Sequence, residues 1–163
     1  MTAGRASLVA RAALFTLFVP GTVLAWAPAF LVAGRATVAA HWPPAPADLG
    51  GMALAVCGAA VYLACAWRFV VEGFGTPAPW DAPRRLVTGG LYRWTRNPMY
   101  VGITVALLGE AWWWRSTAVL VYAAAVTVAF HLRVVMHEEP ALRRLFGADF
   151  TAYCARVRRW GVV

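Results

Sequence analysis

The sequence predicts an all-α integral membrane protein with about four transmembrane helices and a C-terminal amphipathic helix at the interface. The 163-residue chain is 61% hydrophobic and only 13% charged, which is about half the charged fraction of a soluble domain. Its length fits a single domain, residues 1–163. The apolar residues fall into four runs, at 12–34, 49–67, 98–114 and 116–132.

The first run contains 23 residues without a charge, which is long enough to cross a bilayer. Pro20 and Pro28 lie within it, and we expect them to kink the helix, which membrane helices tolerate. A secretory signal peptide is an alternative, with TVLAWAPA as the cleavage region. The run is longer than a usual signal-peptide core and continues past that region, which favours a transmembrane helix.

The third and fourth runs have 17 residues each, fewer than the roughly 20 of a simple span. We expect these helices to tilt little or to extend at their polar ends into protein-lined space. The tryptophans at 112–114 separate the two runs, and tryptophan is enriched where a membrane meets water. This pattern places one interface between the third and fourth helices.

The remaining segments are more polar. Residues 34–48 form a Pro-rich loop, and residues 72–97 contain several Gly and Pro, so we expect both to be largely irregular. Residues 138–160 carry apolar side chains at helical spacing, which predicts an amphipathic helix at the interface, broken near Gly147. The apolar positions are Leu142, Leu145, Phe146, Phe150, Tyr153, Val157 and Trp160.

The distribution of basic residues predicts the orientation. All 15 basic residues are arginine, a usage that favours a bacterial source. With four spans and both termini in the cytoplasm, 13 arginines are cytoplasmic and only Arg35 and Arg115 are external, a strong positive-inside bias. We therefore expect a multi-pass protein of a bacterial cytoplasmic membrane, in contact with lipid headgroups. The net charge of +8 does not indicate nucleic-acid binding, because the arginines flank apolar runs.

The three cysteines, Cys57, Cys65 and Cys154, are an odd number and include no C-x-x-C pair. This pattern favours neither a disulfide framework nor a zinc site. We expect small buried side chains and no bound metal.

The third run begins with a candidate binding feature. Asn97 is a natural N-cap, and Pro98 suits the first position of a helix. A helix that begins there directs free N–H groups toward the cytoplasmic interface and could hold the carboxylate of an amino-acid-like ligand. The alternative is an ordinary capped membrane helix flanked by arginines that reach the interface.

Three titratable residues, His137, Glu138 and Glu139, follow the fourth run. The two carboxylates could cap the next helix, which has Pro140 in its first turn. Alternatively, one of them binds the ammonium or hydroxyl groups of a ligand. Adjacent helical residues point about 100° apart, so we expect Glu138 and Glu139 to have different roles.

Other polar residues within or beside the apolar runs have weaker signals. Glu110 lies near the external end of the third run, where we expect a structural contact, with Arg115 as the candidate partner. We expect His131 to hydrogen-bond another helix. His41 lies in the external loop, and we expect no function for it.

Two segments, RRLVTGGLYRWTRNPMYVG and EEPALRRLFGADFTAYCARVRRW, resemble the isoprenylcysteine carboxyl methyltransferase family and the related phospholipid N-methyltransferases. The shared pattern is G-x-Y-x-x-x-R-[HN]-P-x-Y-x-G, followed by E-E-x-x-L-x-x-x-F-G-x-x-Y-x-x-Y-x-x-x-V-x-R. In this chain the two Y-x-x-Y positions are Phe150 and Tyr153. The resemblance covers roughly residues 73–160. The first half of the chain is similar only in its hydrophobic spans.

The resemblance implies a multi-span enzyme that uses S-adenosylmethionine without a Rossmann fold, and no G-x-G-x-x-G motif follows a strand here. The acceptor would be a lipid or another lipophilic small molecule that carries a carboxylate, amine or thiol. By resemblance, Glu138 closes the cofactor site from the last span. The other implied cofactor contacts are Arg84, Arg85, Leu86, Val87, Tyr92, Asn97, Pro98, Met99 and Tyr100.

Two of the chain's departures from typical members affect the expected site. Asn97 replaces a histidine and cannot titrate near neutral pH, so we expect binding there and no acid–base role. Val134 replaces a substrate-binding arginine, and Arg133 is adjacent but turned about 100° away. Methyl transfer to an amine requires a proton acceptor, for which the candidates are Glu138, Glu139 and His137. Arg133 is the remaining candidate catalytic residue, as a contact for the substrate.

Two other functions stay open. The chain could be a non-enzymatic assembly or regulatory protein with the same fold. Its C-terminal pattern also resembles membrane sterol reductases that use a nicotinamide cofactor, although those chains are longer and have more spans.

Overall fold

The computed structural model describes residues 2–33, 45–74, 76 and 83–161. Every regular element within these residues is helical, which confirms the predicted all-α class. The described residues form six α-helices and four shorter helical elements. The α-helices are α1 (Thr2–Gly21), α2 (Ala27–Val32), α3 (Pro46–Arg68), α4 (Pro98–Trp113), α5 (Thr117–Arg133) and α6 (Glu139–Arg156). The shorter elements are three π-helical segments, Thr22–Trp26, Phe69–Gly73 and Val134–Glu138, and one 3-10 helix, Gly90–Arg93.

Among the residues that the structure describes, three continuous helical stretches are long and apolar enough to cross a membrane: Ala6–Val32, Pro46–Gly73 and Thr117–Arg156. The chain is therefore a multi-pass membrane protein. The predicted number of four spans is wrong by this criterion, because α4 has only 16 residues. At 1.5 Å per residue it rises about 24 Å, less than the roughly 30 Å of a bilayer core.

The first helix begins earlier than its apolar run. α1 starts at Thr2 and includes Arg11, because arginine favours a helix and does not end one. Pro20 lies inside α1. The chain is π-helical over Thr22–Trp26, just before Pro28, which has no N–H to donate to a carbonyl in that turn.

Glycines let α3 and α4 approach backbone to backbone. A Cβ on Gly58 would lie 2.5 Å from the carbonyl oxygen of Gly102, and one on Gly102 would lie 2.8 Å from that of Gly58. Gly51 and Gly109 form a second such pair, with a Cβ on Gly109 2.6 Å from the Gly51 oxygen. The order of the pairs makes the two helices antiparallel, so α4 runs beside α3 within the bundle. The adjoining core joins α3, α4 and α5 through Tyr62, Ala66, Ile103, Leu107 and Ala123.

The C-terminal helix differs in part from the prediction. α6 continues from α5 through the π-helical segment, and it breaks at Gly147 (φ 50°, ψ −118°), as predicted. Phe150 and Tyr153 of α6 and the next residue after the helix, Val157, are buried in a cluster that includes Leu86. Because the chain itself covers this face, a position at the membrane interface stays a prediction.

Two predicted polar contacts have different partners in the structure. Arg115 pairs with Asp48, with 2.9 Å from Nε to Oδ1 and 3.1 Å from Nη2 to Oδ2. The expected Glu110–Arg115 contact is therefore wrong, because Arg115 (φ 45°) reaches the start of α3 instead. Glu110 Oε2 is buried without a hydrogen-bond partner among the described residues.

His131 also has a partner in the polar part of the chain. Its Nδ1 accepts a hydrogen bond from Trp160 Nε1 at 3.0 Å, so the partner lies in the C-terminal segment and not in another spanning helix. The loop at 34–44, with His41, lies outside the described residues.

Candidate functional site

The loop before α4 is fixed to the end of α3. The carbonyl of Gly73 accepts hydrogen bonds from the amides of Arg84 (2.8 Å) and Arg85 (3.4 Å). Gly90 has a left-handed backbone (φ 59°), and a Cβ there would lie 3.0 Å from Arg68 Nε. The left-handed conformation favours glycine, and a side chain there would also require the Arg68 guanidinium to shift.

Three of the predicted cofactor contacts are largely packed inside the protein. Leu86 packs against the α6 cluster, and Val87 is buried beside Cys65 and Tyr92. Burial raises the pKa of Tyr92 well above its ordinary value, so its phenol stays neutral. The side chains of Leu86, Val87 and Tyr92 therefore shape the loop, and direct ligand contact would fall to their backbone groups.

The Arg-Asn-Pro turn is bonded to the C-terminal segment. The amide of Arg96 donates to the carbonyl of Arg158 at 2.9 Å. The carbonyl of Arg159 accepts from Thr95 Oγ1 at 2.9 Å and from Asn97 Nδ2 at 3.1 Å. Asn97 occupies the N-cap position of α4, as predicted, but its side chain makes no capping bond. Its side-chain amide binds the C-terminal segment at Arg158–Arg159, here called the tail, instead.

The start of α4 leaves backbone donors available. Pro98 has no N–H, and the first bond to this turn runs from Val101 N to Asn97 O at 3.2 Å. The amides of Met99 and Tyr100 therefore lack an intrahelical acceptor. Such an end attracts anions, because the free N–H groups and the helix dipole act together.

Tyr100 and Glu138 join the two sequence motifs. The hydroxyl of Tyr100 donates a hydrogen bond to Glu138 Oε1, and Arg133 Nε donates to the same oxygen at 2.8 Å. In a regular α-helix, residues five apart differ by about 140° around the axis. The π-helical turn at Val134–Glu138 changes this relation and lets Arg133 reach Glu138. Both bonds go to Oε1, which leaves Oε2 without a partner among the described residues.

Glu139 has a different environment from Glu138. Its side chain is only 6% exposed, and Arg159 binds it in a bidentate manner, at 2.7 Å from Nε to Oε1 and 2.9 Å from Nη2 to Oε2. Arg96 Nη1 lies 3.2 Å from Oε1, and Arg143 lies 3.7 Å from Oε2. The hydrogen bond to Glu139 raises the pKa of Arg159, so this guanidinium stays charged.

The other predicted residues lie around this cluster. Pro98 is buried, and Met99 is half-buried against α3 and α5. His137 is exposed, as are Arg84 and Arg85. The Arg85 guanidinium carbon lies 5.4 Å from the centre of the Phe74 ring, which indicates a cation–π contact.

Sequence reasoning missed the residues that connect the motifs. Arg159 and Tyr153 occupy positions of the second pattern, but nothing in their spacing indicates their partners. Tyr153 donates from its hydroxyl to the carbonyl of Tyr92 at 2.7 Å. Arg96, also a pattern position, has a buried Nε without an acceptor among the described residues.

Two cavities in the described part of the chain lie away from the motifs. An apolar groove of about 360 Å³ lies between α1 and α3, and a second cavity of about 290 Å³ lies beside Trp112 and Arg115. Within the described part of the chain, no three His, Cys, Asp or Glu side chains cluster closely enough to hold a metal ion. The three cysteines are free.

The fold and the site define a multi-pass helical membrane protein with a polar cluster at the start of a short helix. A sequence profile described as phospholipid methyltransferase matches residues 48–149. The chain therefore belongs to the phospholipid methyltransferase family, which confirms the resemblance. The matched region includes Tyr100 and Glu138 but ends before the C-terminal segment. No curated protein and no solved structure matches the chain.

Proposed function

We propose that the protein is an S-adenosylmethionine-dependent methyltransferase that acts on a lipophilic acceptor at the membrane surface. The observation that carries the proposal is the hydrogen bond from Tyr100 to Glu138. It joins the Arg-Asn-Pro motif to the Glu-Glu motif beside unpaired amides at the start of α4. The family of the chain supports the same activity.

The residues present fit the proposed cofactor. S-adenosylmethionine carries a carboxylate, an ammonium group and a sulfonium centre. The unpaired amides of Met99 and Tyr100 suit the carboxylate, and Glu138 Oε2 suits the ammonium group. The unpaired buried Nε of Arg96 adds a further donor near this turn.

When bound, the cofactor supplies a methyl group already activated by the positive charge on sulfur. The residues of this chain then have to hold the acceptor in line with that methyl group and exclude water. An acceptor carboxylate or thiolate needs no base. An amine acceptor must first lose a proton, and His137, which is exposed beside Glu138, is the proposed proton acceptor when Glu138 binds the cofactor. Glu139 is a weaker candidate for this step, because its carboxylate is already bound by arginines.

The proposed acceptor is a membrane lipid or another lipophilic small molecule. A site at the interface suits an acceptor that arrives from the bilayer and a cofactor that arrives from water. With the arginine-rich side in the cytoplasm, both motifs would face the cytoplasm, where the cofactor is made. The proposed accepting group is a carboxylate, an amine or a thiol.

Calorimetric titration of S-adenosylmethionine and S-adenosylhomocysteine into the purified protein in nanodiscs tests the proposal. We expect binding by the wild type and a loss of about tenfold or more in affinity for Glu138→Gln, because a charge-assisted contact is removed. Asp149→Asn is the matched control, since it makes the same chemical change at an exposed residue outside the site.

Failure of the folded wild type to bind either compound would contradict the cofactor assignment. That result would favour a non-enzymatic membrane protein of the same fold. Equal affinity in the wild type and Glu138→Gln would instead show that the pocket lies elsewhere on the molecule.

A further inference from the structure

We infer that Arg159 is a positioning residue that holds the Arg96–Pro98 turn, and with it the start of α4, in the conformation that binds the cofactor. The inference rests on the proposed function. Arg159 has no hydrogen bond or ion pair with Tyr100 or Glu138 among the described contacts, so it acts through the residues between them.

The backbone of Arg159 holds the turn. Its carbonyl accepts from Thr95 Oγ1 and Asn97 Nδ2, while the preceding carbonyl accepts from the amide of Arg96. Three consecutive turn residues are thus bonded to two consecutive tail residues. Neither segment belongs to an α-helix, so no helical ladder would replace these bonds if the tail moved away.

The side chain of Arg159 holds the other motif. Its guanidinium binds the buried carboxylate of Glu139 through two parallel hydrogen bonds, the geometry in which arginine fixes both distance and orientation. Glu139 directly follows Glu138, and Asn97 lies three residues before Tyr100. Arg159 therefore sets the relative position of the two segments that carry the Tyr100–Glu138 pair.

This connection gives Glu139 a role distinct from that of Glu138. A carboxylate held by Arg159, Arg96 and Arg143 is oriented by its partners and anchors the tail. The position of Asn97 has a similar explanation. Its Nδ2 donor is needed for the carbonyl of Arg159, whereas a carboxylate at this position would place two acceptors against each other.

The test measures the affinity of the full-length protein in nanodiscs for S-adenosylhomocysteine. We expect Arg159→Ala to weaken binding by about tenfold or more, because small displacements of binding groups have large effects. Arg159→Lys should recover only part of the affinity, since lysine keeps the charge but not the planar fork. Arg156→Ala is the matched control; Arg156 is exposed at the end of α6, and its removal should leave affinity unchanged.

Two further measurements separate positioning from general stability. Hydrogen exchange at the amide of Arg96 should accelerate in Arg159→Lys while the amides of α3 keep their protection. The separate affinity losses of Glu139→Gln and Arg159→Gln should add up to more than the loss in the double variant, because both residues act through one contact.

The outcomes distinguish this inference from the proposed function. If the wild type binds and a folded Arg159→Ala binds equally well, the inference is wrong and the proposed function stands. If the folded wild type does not bind, both are wrong. If Arg159→Ala does not fold, Arg159→Lys decides, and unchanged affinity together with unchanged exchange at Arg96 would overturn the inference.

Discussion

Gly58 of α3 and Gly102 of α4 face each other so closely that neither position has room for a methyl group. A Cβ on either residue would lie within 2.8 Å of the other's carbonyl oxygen. Close backbone approach of this kind stabilises helix pairs in membranes, where small residues allow extensive van der Waals contact. The contact holds α4, whose N-cap residue is Asn97, against α3.

Gly58→Ala should therefore destabilise the protein. The added methyl group meets backbone atoms that cannot rotate away, and overpacking of this kind costs about 1–3 kcal/mol. Thermal unfolding in detergent measures the effect. Gly21→Ala is the control, because its Cβ would meet only Thr16 O at 3.5 Å, and equal stability losses in the two variants would contradict the packing argument.

Tyr100→Phe tests the bond between the motifs. It removes the hydroxyl that donates to Glu138 and leaves the ring, which packs 4.4 Å from the ring of Phe130. We expect affinity for S-adenosylmethionine to fall about tenfold, because Glu138 is no longer held in its binding position, and stability to fall by about 1–2 kcal/mol through the lost hydrogen bond. Tyr122→Phe is the control, because its hydroxyl bonds the carbonyl of Val23 away from the site. Similar losses of affinity in both variants would argue against a special role for Tyr100.

Arg115→Ala tests the ion pair at the opposite end of the bundle from the motifs. Asp48 is only 3% exposed, so its carboxylate loses a bidentate partner that water replaces poorly. Arg115 itself is 57% exposed, which weakens the pair, and we expect a loss of about 1–2 kcal/mol. In chemical denaturation, the free energy of unfolding of Arg115→Lys should lie between those of the wild type and Arg115→Ala. No loss in Arg115→Ala would show that the N–H groups at the start of α3 suffice for Asp48.

Gly90→Ala tests the loop that carries Tyr92. Both the left-handed backbone and the Arg68 guanidinium oppose a side chain there. Gly147→Ala is the control. Gly147 also has a positive φ, but a Cβ there would have no atom within 4 Å, so this variant measures backbone strain without a steric contact. We expect about 1 kcal/mol for Gly147→Ala and about 2 kcal/mol or more for Gly90→Ala. Equal losses in unfolding experiments would mean that the contact with Arg68 adds nothing.

The sequence predicted the positions of the helices better than their lengths. The apolar runs at 49–67 and 116–132 correspond to α3 and α5, because hydrophobic composition and helix formation coincide in a membrane. The run at 98–114 corresponds to α4, but Pro98 and the turn after Trp113 limit it to 16 residues. The first helix is longer than its run, since a charged residue ends an apolar run without ending a helix.

The sequence indicated which residues to consider as a candidate site, but not which of them contact one another. The patterns around Asn97 and Glu138 were visible, and the 100° argument separated Glu138 from Glu139. The π-helical turn that brings Arg133 to Glu138 was not predictable, because its geometry depends on packing around Val134, which is buried. The hydrogen bond from Asn97 to the carbonyl of Arg159 was also not predictable. The N-cap preference depends on neighbouring residues, whereas this contact joins residues far apart in the sequence.

The sequence by itself determined the membrane class, the helical elements and the two motifs, because each depends on neighbouring residues along the chain. Only the tertiary structure decided which side chains meet. Asn97 and Arg159 are 62 residues apart, and Tyr100 and Glu138 are 38 apart. Such contacts depend on how the helices pack, and several arginines and carboxylates have the right chemistry for each partner. The fold selects Asp48 for Arg115 and Glu139 for Arg159 because it brings those groups together where the alternatives cannot reach.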